Sequence, residues 1–234
     1  MNLTHQLADT LGRAIVSGSQ ATGSVLSEAM IAGPEQAGRG AVREAIRILE
    51  GKGLIEARPR RGTTVLPLER WNLYDRDVQA WLRAAPAQSG LLAELMDLRR
   101  IVEPQAAAFA ANRRGSVELA KLAEAHQSMV AAQDGHGDSC DADIAFHATI
   151  LAATGNRFLG ALTPLIETAL RQSIRLTNAL RGDVVGDLAA HTRVFEAIRD
   201  ADPAAAEAAM RFLLDDVARA LADGTPASPQ RTLK

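Results

Sequence analysis

The chain has 234 residues, 47% hydrophobic, 23% charged and 3% aromatic, with a formal net charge of -2. Its one cysteine, Cys140, excludes an internal disulfide framework, no apolar run reaches bilayer-spanning length, and nothing near Met1 has the pattern of a signal peptide. These features predict a cytoplasmic, mostly helical protein, long enough for a small domain followed by a larger one.

In chain order, Leu7, Leu11, Ala14 and Ile15 recur at steps of three and four and predict a helix from Gln6 to Ser17. A poorer helical segment covers Ser27 to Ala32, with Ser27 as cap and Gly33-Pro34 as its interruption. A third helix runs from Gly38 to Lys52, turning Ala41, Val42, Ala45, Ile46 and Leu49 inward, and Gly53 ends it. The stretch LIEARPRRGTTVLPL then predicts two short strands, Leu54 to Ala57 and Thr63 to Leu66, around a basic turn in which Gly62 can take positive φ. Three helices followed by a hairpin is the order of a winged helix-turn-helix, assigned to residues 1–68.

Charge concentrates here. Between Arg39 and Arg61 seven bases face Glu44, Glu50 and Glu56, whereas residues 71–234 carry seventeen bases against twenty-one acids. Arg39, Arg43 and Arg47 stand four apart, so they project from neighbouring turns of one helix face while the apolar positions pack behind. Such a helix suits a major groove, and Arg58, Arg60 and Arg61 on the wing suit adjacent phosphates or the minor groove. A solvated helix face is the alternative for the charges taken alone.

The stretch GRGAVREAIRILEGKGLIEARPRRGTTV resembles the helix-turn-helix and wing of the GntR family of bacterial regulators over roughly residues 5–67. The resemblance implies double-stranded operator DNA as partner, with Arg39, Gly40 and Arg43 at DNA-reading positions and Arg61 with Gly62 at the wing tip; Arg47 continues the same face. The sequence departs from the family where Gly38 replaces the usual Ser and where Ala29 replaces a frequent Arg, and Gly33-Pro34 disfavours the second helix.

Residues 69–90 read as a linker with a short helix from Asp75 to Arg83, and Trp71, Tyr74 and Trp81 read as groups that dock the two domains. Helices follow at 91–113, 117–133, 140–153, 157–180, 187–200 and 204–222, with a flexible tail at 223–234. No strand alternation or dinucleotide glycine fingerprint interrupts them, which predicts an antiparallel helical bundle. Leu91, Leu92, Leu95 and Leu98 fit either core or dimer contacts. Asp143 and His147, four apart, share a helix face, and His191 on a later helix completes an oxygen and nitrogen set suited to Zn, Ni or Mn. By itself the Asp-x-x-x-His pair also fits an ordinary hydrogen bond. His5, His126 and His136 read as surface residues.

LMDLRRIVEPQAAAFAA, DADIAFHATILAATGN and HTRVFEAIRDADPAAAEAAM follow in the order and spacing of the FCD effector-binding domain of FadR-type GntR regulators, over about residues 91–217. The resemblance implies that Asp143, His147 and His191 are metal ligands and that Arg99 faces a carboxylate effector, with Asn156 as a loop contact. Arg171 adds a second candidate cation, as would Arg175, although a solvated face suits both. Leu213 stands where the family places a fourth His, leaving either a three-ligand site with open positions or a cavity that holds metal weakly. For Arg99 the competing reading is an ion pair with Glu103. RWNLYDRDVQAWL followed by RRIVEP looks most like the galactonate-type regulators in this group, which respond to sugar acids. The expectation is a homodimeric transcription regulator, a repressor of sugar-acid catabolism with a hydroxycarboxylate effector. A metal-responsive regulator and a metal-dependent enzyme are the alternatives.

Overall fold

A computed structural model describes residues 2–33, 37–58, 61–86, 89–181 and 187–224. Pro34, Arg60 and the tail after Gly224, each assigned a role above, lie outside them. The chain divides into two compact units, Met1–Pro86 and Ala87–Lys234.

In the first unit α1 (Leu3–Val16) starts where Asn2 accepts the His5 N–H, and it buries Leu7, Ala8, Ile15 and Val16. β1 (Val25–Leu26) and α2 (Glu28–Ala32) follow; Ser27 caps α2 by accepting from Met30 N–H, and Gly33 ends it at φ 66°. α3 (Arg39–Gly51) packs on α1 through Val42, Ala45 and Leu49. β2 (Ile55–Arg58) and β3 (Gly62–Val65) form the wing, and the sheet order is β1-β3-β2 with both pairings antiparallel. The two predicted strands are present, each within a residue of its expected ends. The third strand escapes sequence reading because two residues cannot display alternation. Gly53 sits at φ 75°, where an added Cβ would overlap the Arg70 carbonyl, so this turn requires glycine.

The segment read as a linker is largely part of this unit. After a 3-10 turn (Leu68–Arg70), Asp75 caps α4 (Arg76–Ala84), whose Val78, Trp81 and Leu82 are buried. Trp81 lies flat against Gly12, where any Cβ would strike the ring, and its indole N–H donates to Asp9 Oδ1 at 2.7 Å. Arg13 holds the same carboxylate from the solvent side and keeps Asp9 below the ordinary aspartate range, against the opposing effect of burial. Lys52 ties α3 to the start of α4 through Asp75 and Asp77, at 2.8 and 2.7 Å. The three aromatics expected at the domain junction all belong to this first unit. Trp81 pins α4 to α1, Trp71 donates to the Leu66 carbonyl, and Tyr74 is 74% exposed. Trp81→Ala should cost about 3–5 kcal/mol, the usual range for emptying a buried aromatic site. Trp81→Phe should cost less, about 2–3 kcal/mol, for the lost hydrogen bond and the gap left beside Gly12. Urea denaturation of the full chain checks both.

The second unit is all helical among the described residues: α5 (Ser89–Arg113), α6 (Ser116–Gln133), α7 (Ser139–Ala153), α8 (Arg157–Gly160), α9 (Thr163–Arg181), α10 (Leu188–Arg199) and α11 (Pro203–Gly224). α5 lies along α11, α6 along α7, and α10 along α11. Ala106, Ala107, Ala110 and Ala111 give α5 a narrow face on which Met210, Leu213 and Leu214 of α11 share one core with Phe146, Ile150 and Leu151 of α7. Small side chains on one partner and large ones on the other let helices approach without voids.

One predicted helix, 157–180, is two. Asn156 caps α8 by accepting from the Phe158 and Leu159 N–H groups, and the chain turns at Ala161–Leu162 before α9. Pro164 is the cause: it has no N–H for the Gly160 carbonyl, which instead accepts from the Thr163 hydroxyl at 2.8 Å. His126, expected on the surface, is half-buried, stacked on Phe195 and hydrogen-bonded to Thr192.

Candidate functional sites

On α3 Arg39, Arg43 and Arg47 are exposed along one face, and the nearest acid to Arg47 is Glu44 at 3.7 Å. Gly38 occupies the N-cap in extended conformation without a side-chain cap, a loss of only a few tenths of a kcal/mol relative to Ser. Gly40 is exposed, and a Cβ built there meets nothing within 4 Å. Gly62 takes φ 79° at the wing turn, beside exposed Arg61, and a Cβ there would press on Val25 of β1. Arg58 is paired with Glu56 at 2.9 Å. Gly40→Ala should stabilise the free protein by about 0.5–1 kcal/mol, because Ala is the better helix former and the space is open. Weakened operator binding in that stabilised variant would place the backbone of Gly40 close to DNA.

The second constellation lies inside the helical unit. Asp143 and His147 on α7 and His191 on α10 bring one ligand atom each within 4.8 Å of the others. His191 Nε2 stands 3.0 Å from Asp143 Oδ1, and His147 Nε2 stands 3.3 Å from the same oxygen. The side chains of His147 and His191 are 1% and 4% exposed, whereas Asp143 keeps 13% of its surface and marks the open side. Phe146 packs edge-on against both rings and fixes their planes.

Hydrogen bonding behind the rings defines their tautomers. His191 Nδ1 is 2.8 Å from the Asp187 carbonyl, which can only accept, so that nitrogen carries a proton. His147 Nδ1 forms a close ion contact with Glu103 Oε2, off the direction of a well-aligned hydrogen bond. Both Nε2 atoms therefore point at one carboxylate oxygen, an arrangement that requires positive charge between them. A proton on an imidazole supplies it, and so does a cation. Tetrahedral donors at about 2.1 Å from a metal lie about 3.4 Å from each other, so the separations fit a divalent ion. Glu103 is the residue that sequence reading undervalued. The buried stripe of α5 runs Leu92, Met96, Arg99, Glu103, Ala106, Ala110 at helical spacing, so periodicity alone placed both charges inward.

Arg99 is 1% exposed, donates through Nε to Glu103 Oε1 at 2.6 Å, and brings a terminal nitrogen to 3.4 Å from His147 Nε2. The competing reading, an ion pair with Glu103, is present, and the guanidinium also lies beside the three clustered side chains. Burial opposes ionisation of Glu103, but Arg99 and His147 outweigh it and hold the acid at about 2. Burial likewise opposes charge on His147, and Glu103 with Asp143 raise it to about 9. Asp143 lies well below the usual carboxylate range despite its burial, because both imidazoles bond to it.

The other two candidates are not gathered at this cluster. Asn156 is exposed and its side-chain oxygen caps α8. Arg171 bonds Glu167 and Asp141 at 3.1 and 2.8 Å and lines a surface cleft with Gly137, Asp138, Ser139, Cys140, Ile174 and Arg175. Cys140 lies one helical turn before Asp143, so the cleft opens on the side of α7 that carries the first ligand. Leu213 is buried in the same core as Phe146.

Comparison with known proteins covers both parts of the chain. Residues 3–65 match the gntR family of bacterial regulatory proteins and residues 94–216 match the FCD domain. The galactonate operon transcriptional repressor of Escherichia coli K12 is 32% identical over 96% of this chain and 99% of its own length. An uncharacterised helix-turn-helix regulator of the same strain, YieP, is 30% identical over 91% of this chain and 93% of its own. Lar of Listeria monocytogenes shares the fold, with a TM-score of 0.65 at 16% identity, covering 95% of this chain and 98% of that one. An Arg-bearing recognition helix with its wing, joined in one chain to a helical unit holding an Asp-His-His cluster, thus has both its parts matched: the chain belongs to the GntR family of transcriptional regulators, in the group that carries an FCD domain.

Proposed function

We propose that this regulator is a homodimeric repressor of a sugar-acid catabolic operon, released from its operator by a small hydroxycarboxylate such as an aldonate. The observation that carries the effector class is the buried Arg99, whose guanidinium stands 3.4 Å from a nitrogen of the Asp143–His147–His191 cluster. A divalent ion on these three donors, Zn, Ni or Mn, would chelate a carboxylate with its adjacent hydroxyl while the guanidinium takes the other oxygen. Arg171 would steer the acid through the cleft, and Asn156 would contribute by fixing the loop. The name of the Escherichia coli galactonate operon repressor, across nearly the whole of both chains, supports an aldonate. Arg39, Gly40, Arg43 and Arg47 would read the groove and Arg61 with Gly62 the flanking backbone, two copies in a dimer giving a palindromic operator.

The test is a gel-shift titration on the DNA upstream of its own gene, with and without aldonates and uronates in the presence of each metal. Release by one acid supports the reading. Release by metal alone, indifferent to every acid, replaces it with a metal-responsive regulator.

Metal loading should depend on pH with a definite sign. His147 in the metal-free chain holds its proton up to about 9, so a cation must displace it. Apparent affinity should rise roughly tenfold per pH unit from neutrality toward that value, one proton being released per ion. A chelator-competition series from pH 6.5 to 8.5 measures the slope.

A further inference from the structure

We infer that Glu103 is a positioning residue for the metal site: it fixes the ligand tautomer of His147 from behind, and Arg99 acts on the site partly by holding Glu103 in place. The inference rests on the metal reading above. Three fully buried groups, Arg99 and Glu103 of α5 and His147 of α7, contact one another, each about 1% exposed, so no water competes for their hydrogen-bonding capacity. Glu103 divides its carboxylate between them. Oε1 takes Arg99 Nε at 2.6 Å, and Oε2 faces His147 Nδ1. With a carboxylate behind it, Nδ1 keeps its hydrogen, so the proton that a cation displaces comes from Nε2, the atom that points to Asp143.

The two histidines are thereby unequal. His191 is backed by a neutral carbonyl, that of Asp187, whereas His147 is backed by an anion that makes its Nε2 the more basic donor. Among the described residues only three donors gather here, so each one's basicity and orientation weighs heavily on affinity. Glu103 also sits one turn after Arg99 on the same helix, so one rigid element, α5, carries both the cation and the carboxylate that backs His147.

Zn2+ affinity of the full-length chain, measured by competition with a chromophoric chelator, tests this. Glu103→Leu should weaken binding 10- to 100-fold, and Glu103→Gln, which keeps an acceptor oxygen but loses the charge, should weaken it by a smaller factor, about tenfold or less. Folding stability of the metal-free variants is measured alongside, because a merely structural Glu103 would lower stability and leave the affinity per folded chain unchanged. Where Glu103→Leu does not fold, Glu103→Gln alone decides. Wild-type chain binding one ion with both variants within a factor of two overturns the role of Glu103. Wild-type chain that binds no ion overturns the metal reading itself, and the role of Glu103 with it.

Discussion

Replacing Arg99 with Met is expected to cost about 3–5 kcal/mol of folding stability in the metal-free chain, the range for removing one partner of a buried charge pair. Met fills most of the aliphatic volume, so the loss is electrostatic: Glu103, itself 1% exposed, keeps a carboxylate with one fewer donor. The double variant Arg99→Met/Glu103→Leu should recover much of the loss, because two well-packed apolar side chains replace the pair. The sign with pH follows from Glu103, whose folded value is lowered from 4.5 to about 2 by Arg99 and His147 against the cost of burial. Its stabilising contribution is present above about 4.5 and disappears as pH falls through 2, so the gap between wild type and Arg99→Met should narrow over that window. Urea denaturation at pH 7 and at pH 3 measures both. A single variant as stable as wild type at pH 7 would mean that Arg99 is dispensable to the core and is retained for the ligand alone.

The same residues show how far the sequence could be read. Helices with a strong apolar repeat, α1, α3, α10 and α11, fall within a few residues of their predicted bounds because burial of one stripe dictates both periodicity and ends. Asp143, His147 and His191 were recognisable by spacing and resemblance, and they do converge. What sequence concealed was tertiary. The partner of Trp81 is a glycine sixty-nine positions earlier, and nothing in a local window shows that Gly12 clears space for an indole. Arg99 read either as an effector-facing cation or as the ion-pair partner of Glu103, and spacing along one helix did not show that both charges are buried against His147 of α7. Asn156 matched a family position, and its side-chain oxygen caps α8. Arg171 bonds acids of two helices, Asp141 of α7 and Glu167 of α9, a placement that depends on how the helices pack rather than on spacing within one.

Side-chain ties of the same kind hold the first unit together. Lys52 joins α3 to α4 through two carboxylates, and Trp81 joins α4 to α1, so α4 is fastened to both larger helices of its unit.

Arg43→Ala should weaken operator binding by about 1–3 kcal/mol per recognition helix, and by roughly twice that in a dimer with both half-sites engaged, or about 30-fold to 10⁴-fold. The side chain is exposed on α3 one turn from Arg39 and from Arg47, so its removal should leave folding stability within about 0.5 kcal/mol of wild type. Separating the two effects is the purpose of the choice, since a variant that folds normally and loses DNA places Arg43 at the interface and not in the scaffold. The salt dependence then tells base contact from phosphate contact. If Arg43 reads a guanine edge, discrimination between operator and random DNA falls, while an arginine on phosphate lowers affinity for both and reduces the slope of log K against log salt by about one per contact. Titrations at two ionic strengths on operator and scrambled duplex provide all four numbers, and unchanged binding in every one would remove α3 from the groove.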